Sequence, residues 1–381
     1  MKILLLSNTL NCGGAERQMV YLAKFLKRDG FSVEFVCCNL GEYYEDLLRQ
    51  DGIKVNWTYA KLFNRGLSMR CRFFSFIFVL YAKLRIIWYI KKSKSSVVIS
   101  FLELSNRLNC ISKLISNHTV ITGERNAIMP LSSSASWIYY KLLMKLSDHI
   151  ICNSFAGYNM WCTLAPTYKV KLSVIYNFIF KPKKTFLNNY VYKQDDKIHI
   201  VVPASYDNSR KNYLGLVKAV LLLSKEERKK LEVLWYGNLT DSHKCQASYL
   251  KAMKLINDNQ LQNVISFRDK TKQIGDVMNA ADFVALFSYV EGLPNAICEA
   301  LALGKPIIMT RVSDYCSLVS DNVFLCETPE PLSIATSLKN AIKCDFSQIK
   351  SMSEKSFKIY EQIFSTEQSL NQWKQIILKQ V

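Results

Sequence analysis

Short apolar runs alternate along the chain with longer stretches in which apolar residues recur every three or four positions. In the first half the runs are Ile3–Leu6, Ser32–Cys38, Val97–Phe101, Thr119–Thr122, His149–Asn153 and Leu172–Tyr176. In the second half they are Ile198–Pro203, Leu231–Tyr236, Val264–Phe267, Ala281–Phe287, Pro306–Met309 and Val323–Cys326. Such runs predict buried strands. Helical patterns fill the intervals: Ala15–Lys27, Ser105–Ser116, Ser136–Leu146, Tyr213–Leu223, Lys244–Asn257, Thr271–Ala280, Ala296–Leu303 and Pro331–Lys343. Strand and helix in regular alternation predict an α/β protein with parallel sheets and helical crossovers.

The alternation is interrupted once. Residues 178–197 carry Pro182, Lys183, Lys184 and Asp195-Asp196 without periodicity, and are expected to link two domains, 1–177 and 198–350. Beyond them, residues 351–381 are helical, with Phe357, Tyr360, Phe364, Leu370, Trp373, Ile376 and Ile377 forming an apolar stripe. A chain of 381 residues is long enough for two full cores.

Composition narrows the class. Hydrophobic residues make up 49% and charged residues 21%, as in a folded protein rather than a disordered one. The twelve cysteines show neither a CxxC pair nor a Cys/His spacing suited to zinc, which fits a reducing compartment without disulfides. Met1–Leu6 passes directly into polar residues and reads as a first strand, so a cytoplasmic location is expected. The net charge is +19, and residues 51–100 concentrate it, with ten Lys or Arg against one Asp. The apolar stretch Phe73–Ile90 lies in that segment, but Lys83 and Arg85 argue against a membrane span. A buried helix and a helix lying on an anionic membrane surface both remain open for residues 69–94.

The candidate chemistry is densest from Ser288 to Thr310. A strand turns through Glu291-Gly292-Leu293-Pro294-Asn295 into a helix that stops at Gly304. Loops at a strand's carboxyl end and a helix's amino end are where parallel sheets bind ligands, and the unpaired N–H groups there suit a phosphate. Carboxylates Glu291 and Glu299 suit vicinal diols, as in a sugar or a ribose. Arg210 and Lys211 precede another helix amino end, where two cations suit a diphosphate. Gly13 and Gly14 open the first helix and let backbone approach a ligand. Glu124-Arg125-Asn126 closes a strand and is a candidate for recognising an acceptor. The absence of Gly-x-Gly-x-x-Gly argues against a dinucleotide oxidoreductase.

The block from Glu291 to Glu299 resembles the donor-binding motif of retaining glycosyltransferases of family 4. The Gly13-Gly14-Ala15-Glu16-Arg17 opening and the strand ending at Asn177 are similar to the same family. The resemblance implies the GT-B fold, two doubly wound Rossmann-like domains facing a central cleft, with 351–381 crossing back to the first domain. It implies a nucleotide-sugar, expected to be a UDP-sugar, held mainly by the second domain. Glu291 and the backbone of Gly292, Leu293, Pro294 and Asn295 would meet the transferred hexosyl or N-acetylhexosaminyl group. Glu299 would hold the ribose, Arg268 to Lys270 the base, and Lys211 with Arg210 the diphosphate. The family's Arg after the second domain's first strand is replaced here by Ser205 or Tyr206. Glu124, Arg125 and Asn126 match a triplet in the bacterial polysaccharide and lipid-linked-oligosaccharide branch, whose acceptors are growing glycans of the O-antigen or capsule kind. No Asp-x-Asp occurs, so neither a metal nor another cofactor is expected. Two alternatives stand beside this one. A silent sugar-binding scaffold of the same fold would explain the missing Arg. A nucleic-acid-binding protein would explain the charge, but no reading motif accompanies it and nucleic acid is not the expected partner.

Overall fold

The computed structural model describes residues 1–11, 13–37, 43–57, 72–125, 134–182, 196–206, 209–239, 244 and 246–379. Asn126, Arg70 and most of the expected linker lie outside them, as do the side chains of Arg72, Phe73, Phe74 and Phe76. The chain forms two compact units, residues 1–178 with 366–381, and residues 179–365.

The first unit is built on seven parallel strands: β1 Lys2–Ser7, β2 Ser32–Cys37, β3 Lys54–Trp57, β4 Val97–Phe101, β5 Thr119–Glu124, β6 His149–Cys152 and β7 Leu172–Val174. Their order is β3-β2-β1-β4-β5-β6-β7. Parallel neighbours cannot be joined by a tight turn, so helices cover the sheet and strands are buried on both faces. Ile3, Leu4, Leu5 and Leu6 are accordingly inaccessible. This explains why the strands read as continuous apolar runs. The helix Thr366–Lys379 completes this unit: Leu370, Trp373 and Ile377 enter its core, and Lys374 pairs with Asp29 at 2.7 Å.

The second unit has six parallel strands: β8 Ile198–Pro203, β9 Leu231–Gly237, β10 Ile265–Asp269, β11 Phe283–Leu286, β12 Ile307–Thr310 and β13 Val323–Cys326. Their order is β10-β9-β8-β11-β12-β13. The helix Phe346–Ile363 belongs here, opened by a capping box of Asp345 and Gln348. The apolar stripe of the last thirty-odd residues is therefore split at Phe364-Ser365 between the two units, rather than acting as one element.

Both sheets reverse their winding once, beside the first strand of each unit. In the first the reversal falls between β1 and β4, in the second between β8 and β11. Loops leaving the carboxyl ends of those strands diverge and open a crevice. Each carries a non-glycine residue with positive φ, Leu102 at 70° after β4 and Asn212 at 62° after β8. Asn212, with ψ 33°, is left-handed helical, which Asn adopts readily, whereas Leu102, with ψ 156°, lies in a region nearly confined to glycine at a cost of about 1–3 kcal/mol.

Candidate functional site

In the second unit the loops after β8 and β11 are joined across the reversal. Tyr289 donates its backbone N–H to the Arg210 carbonyl at 2.8 Å. Lys211 Nζ donates to Glu291 Oε1 at 2.5 Å, with their side chains 20% and 14% exposed. The same oxygen accepts from Ser288 Oγ at 2.6 Å. Ser288 is itself inaccessible, and its carbonyl accepts from Thr310 Oγ1 at 2.6 Å. Glu291 is thus oriented by a hydroxyl held from the neighbouring strand and faces a cation on the adjoining loop. Arg210 and Lys211 form a short 3-10 turn, Ser209–Lys211, ahead of the helix Tyr213–Leu221.

From Glu291 the chain enters the helix Asn295–Leu303. Pro294 is its N-cap and supplies no side-chain bond. Its carbonyl accepts from the N–H groups of Ile297 and Cys298, at 2.9 and 3.1 Å. Gly292, Leu293 and Pro294 are buried, while Asn295 and Glu299 are half-buried. Glu299 lies one turn into the helix, between the buried Cys298 and Ala300. Gly304, with φ 71°, ends the helix, and Lys305 follows. Lys305 is inaccessible, and its Nζ donates to the Ala281 carbonyl at 2.6 Å. Burial pushes this amine down to about 6. This makes Lys305 a structural group at the amino ends of β11 and β12, away from the loops of the site.

At the position where the missing Arg is expected, Ser205 is half-buried and Tyr206 is inaccessible. The Tyr206 ring therefore lies in the core and offers no cation to an anion. Arg268, at the end of β10, has an exposed side chain.

In the first unit, Gly13 caps the helix Gly14–Arg28 in extended backbone. The Glu16 side chain folds back over it, so that a Cβ on Gly13 would lie 2.1 Å from Glu16 Oε2. Glu16 Oε1 also accepts from Thr9 Oγ1 at 3.1 Å. A carboxylate, rather than open space, thus adjoins this helix start.

Glu124 and Arg125 turn to different partners. Glu124 ends β5 and is 9% exposed. Its Oε1 accepts from Asn106 Nδ2 at 2.9 Å and from the Tyr139 hydroxyl. Burial raises the carboxyl to about 7, against the two hydrogen bonds that favour its ionised form. Arg125 Nη1 donates to Asn177 Oδ1 at 2.9 Å. Its guanidinium lies 3.9 Å from the Phe101 ring centroid and 5.8 Å from that of Trp373. Gly123 permits this stacking, since a Cβ there would sit 2.4 Å from the Phe101 ring. Asn106 belongs to a longer buried chain, accepting from Ser100 Oγ at 2.9 Å, while Asn109 donates to Ser100 at 3.0 Å. The sequence pattern did not single out Asn106, Tyr139 or Ser288. The visible signal was polar residues at 106 and 109, spaced to share the buried face of one helix.

No helix of the described residues is long and apolar enough to cross a membrane. The helix Arg72–Ser93 packs on Glu103–Ser112, which packs on Ser134–Leu146. Outward from the first project Leu80, Tyr81, Leu84 and Trp88, each between 47% and 58% exposed. Arg85 lies over Tyr81 and Lys92 over Trp88, at 5.8 and 4.9 Å. The turn after the second helix adds exposed Leu114 and Ile115, and the third helix adds Ile138. Ile86 and Ile90 on the opposite face are buried against the sheet.

Comparison with known proteins accounts for both units. Residues 12–180 match the model of Glycosyltransferase Family 4 and residues 185–359 that of Glycosyl transferases group 1. A curated relative from Campylobacter jejuni is 25% identical over 314 residues, 79% of this chain and 77% of its own. It is named a GalNAc-alpha-(1->4)-GalNAc-alpha-(1->3)-diNAcBac-PP-undecaprenol alpha-1,4-N-acetyl-D-galactosaminyltransferase. Among solved structures, Anabaena Alr3699/HepE in complex with UDP superposes with TM-score 0.78 at 18% identity, over 100% of both chains. The lipopolysaccharide outer core galactosyltransferase WaaB, in apo form, gives TM-score 0.68 at 12% identity over 100% of both chains. These superpositions establish the GT-B fold.

Proposed function

From the premise that this chain belongs to the family 4, group 1 glycosyltransferases, we propose that it moves a sugar from a UDP-sugar to a hydroxyl of a lipid-linked glycan. The sugar is a hexose or N-acetylhexosamine, transferred with retention at the anomeric carbon, in the assembly of a surface polysaccharide. The observation that carries this reading is the Lys211–Glu291 pair at the winding reversal of the second unit. It brings together a cation and a carboxylate from two loops that each lead into a helix amino end, the place where a parallel sheet offers a diphosphate both amides and charge.

Each group has work suited to its position. Lys211, joined by Arg210 from the same turn, neutralises the diphosphate as its bond to the anomeric carbon breaks and the acceptor oxygen takes its place, the acceptor's hydroxyl proton passing to the departing diphosphate. Charge grows on the departing phosphate at that moment, so a fixed cation stabilises the transition state more than the bound donor. When the donor enters, Lys211 exchanges part of its contact with Glu291 for phosphate. Glu291, still held by Ser288, then faces the sugar hydroxyls beside the backbone of Gly292 to Asn295. Glu299 accepts from the ribose diol. Gly13 and Gly14, at the start of the helix Gly14–Arg28, give a ligand access to backbone once Glu16 swings aside. Glu124 and Arg125 serve the acceptor side, with Asn126 beyond them in sequence. With Ser205 and Tyr206 where the family's Arg is expected, Arg210 is the second cation. No metal ion enters this scheme.

The relatives support the two substrates. HepE is described in complex with UDP and with UDP-glucose, and the Campylobacter relative's name specifies an undecaprenol-linked glycan. A lipid-linked acceptor requires contact with the membrane surface. We assign that contact to the face of Leu80, Tyr81, Leu84 and Trp88 with Arg85, Lys91 and Lys92, and place the enzyme peripherally on the cytoplasmic side. Aromatic and aliphatic side chains enter the headgroup region, and cations meet anionic lipid. The test is product analysis. Purified protein, a panel of nucleotide-sugars and an undecaprenol-linked glycan should give one new product by mass spectrometry, with the donor's anomeric configuration by NMR. An inverted product, or none with any donor, refutes the reading.

A further inference from the structure

Tyr206, one of the two residues where the family's Arg is expected, has a place of its own. Tyr206 starts just beyond β8, crosses the end of β9 and reaches the backbone of β10. Its hydroxyl lies 2.8 Å from the Trp235 carbonyl and 3.0 Å from the Arg268 carbonyl, and accepts from the Arg268 N–H at 3.1 Å. One hydroxyl carries one proton and two lone pairs, so the two carbonyls share the proton while the amide takes a lone pair. For Arg268 the phenol thus supplies a donor and an acceptor, as a neighbouring strand would.

The ring that carries this hydroxyl is clamped. Trp235, Tyr213, Tyr249 and Phe267 surround it with centroids 5.6–6.2 Å away. Trp235 Nε1 donates to the Ala204 carbonyl at 2.7 Å, fixing the chain just before Tyr206. Gly237 admits the crossing, since a Cβ there would lie 2.3 Å from the Ala204 carbonyl and 2.9 Å from the ring. Beyond Arg268, Asp269 Oδ1 accepts from the N–H groups of Leu239 and Lys270, at 3.2 and 2.7 Å. The end of β10 is therefore held from one side by Tyr206 and from the other by its own carboxylate.

We propose that Tyr206 is a positioning residue for nucleobase recognition, its hydroxyl fixing the backbone of Arg268 to Lys270 against which the base is read. This rests on the reading that the second unit binds a nucleoside diphosphate sugar. Backbone amides and carbonyls distinguish one base from another only when their directions are fixed, because a mobile strand end adapts to any heterocycle. An inaccessible ring touches no substrate, so its hydroxyl acts through the backbone it bonds, that of Trp235 and Arg268. Lys211 shares the loop of Tyr206, but the hydroxyl bonds only to the backbone of Trp235 and Arg268, and with the ring kept in place the diphosphate site is outside its influence.

The test separates base from phosphate. Wild type and Tyr206→Phe, which keeps the ring and its aromatic neighbours, are titrated calorimetrically with UDP, ADP, GDP and inorganic pyrophosphate. The expected result is a fall in UDP affinity of about tenfold, the size of one lost hydrogen bond. The preference for UDP over ADP and GDP shrinks with it, and pyrophosphate binding is unchanged. A variant that keeps the wild-type preference, or weakens all four ligands alike, overturns the proposal. Hydrogen exchange on the wild type provides the second measurement and does not depend on the variant's folding. UDP should slow exchange at Arg268 to Lys270 and pyrophosphate should not, and equal effects of the two ligands overturn it. Wild-type protein that binds no nucleotide refutes the donor reading itself.

Discussion

Replacing Lys211 by Ala tests two consequences of one ion pair at once. The pair is mostly enclosed, with 20% and 14% of the side chains exposed and a separation of 2.5 Å. Removing one partner of a fully buried pair costs about 3–5 kcal/mol, because the other charge is left unpaired. Partial solvent access at Lys211 and Glu291, and the Ser288 hydroxyl that still serves Glu291, reduce this to roughly 2–3 kcal/mol. At about 2–4 °C per kcal/mol for a body of this size, Lys211→Ala should lower Tm by roughly 4–12 °C. Adding Glu291→Gln removes the stranded charge and should restore most of that loss. Turnover behaves differently. Loss of one group that stabilises developing negative charge costs about 10²–10³ in kcat, and Glu291→Gln does not return it. The assay is thermal unfolding beside single-turnover transfer for wild type, both single variants and the double. Recovery of Tm without recovery of kcat is expected. If Lys211→Ala turns over at the wild-type rate, or if activity recovers together with stability, Lys211 has only a structural part and the reasoning fails.

Three further outcomes follow from the same geometry. Glu299→Ala should weaken donor binding by about 1–3 kcal/mol with the fold intact, as for a lost hydrogen bond to a charged group; unchanged calorimetric affinity removes Glu299 from the ribose. The Glu124 carboxyl is raised from 4.5 to about 7 by burial, so the folded state holds a proton that the unfolded chain releases. Its contribution is present in full below pH 4.5 and is lost as pH rises through about 7; the decline in stability between pH 5 and 8 should therefore be steeper in wild type than in Glu124→Gln, and parallel pH curves contradict it. Binding to anionic vesicles should fall steeply with salt, at about 1 kcal/mol per cation, and Trp88→Ala with Lys91→Glu and Lys92→Glu should release the protein without changing donor hydrolysis; sedimentation that shows no binding at any salt ends the membrane assignment.

The strands were legible because parallel strands buried on both faces leave unbroken apolar runs. Ile198–Pro203 and Val323–Cys326 fall as expected for this reason. Where that pressure weakens, legibility weakens with it. The edge strand Lys54–Trp57 and the helix Glu45–Gln50 mix charged and apolar residues over four to six positions, too few to show a period. The loop chemistry was legible as residue types at strand ends, but the pairing of Lys211 with Glu291 spans 80 positions and only the fold reveals it. Glu124 misleads in the opposite direction. A carboxylate after a glycine suggests a solvated turn, whereas Asn106 and Tyr139, distant in sequence, enclose it. Tyr206 looked like a gap in a motif because its partner, the backbone of Arg268, has no signature in the sequence.

In the proposed function the loops of the second unit's winding reversal hold the donor. A crystal structure with UDP bound tests it most directly. Expected are a diphosphate oxygen within about 2.7–2.9 Å of Lys211 Nζ, the ribose hydroxyls on the Glu299 carboxylate, and the base at the backbone of Arg268 to Lys270. A diphosphate seated away from Lys211, with Lys211 and Glu291 still paired to each other alone, would contradict it.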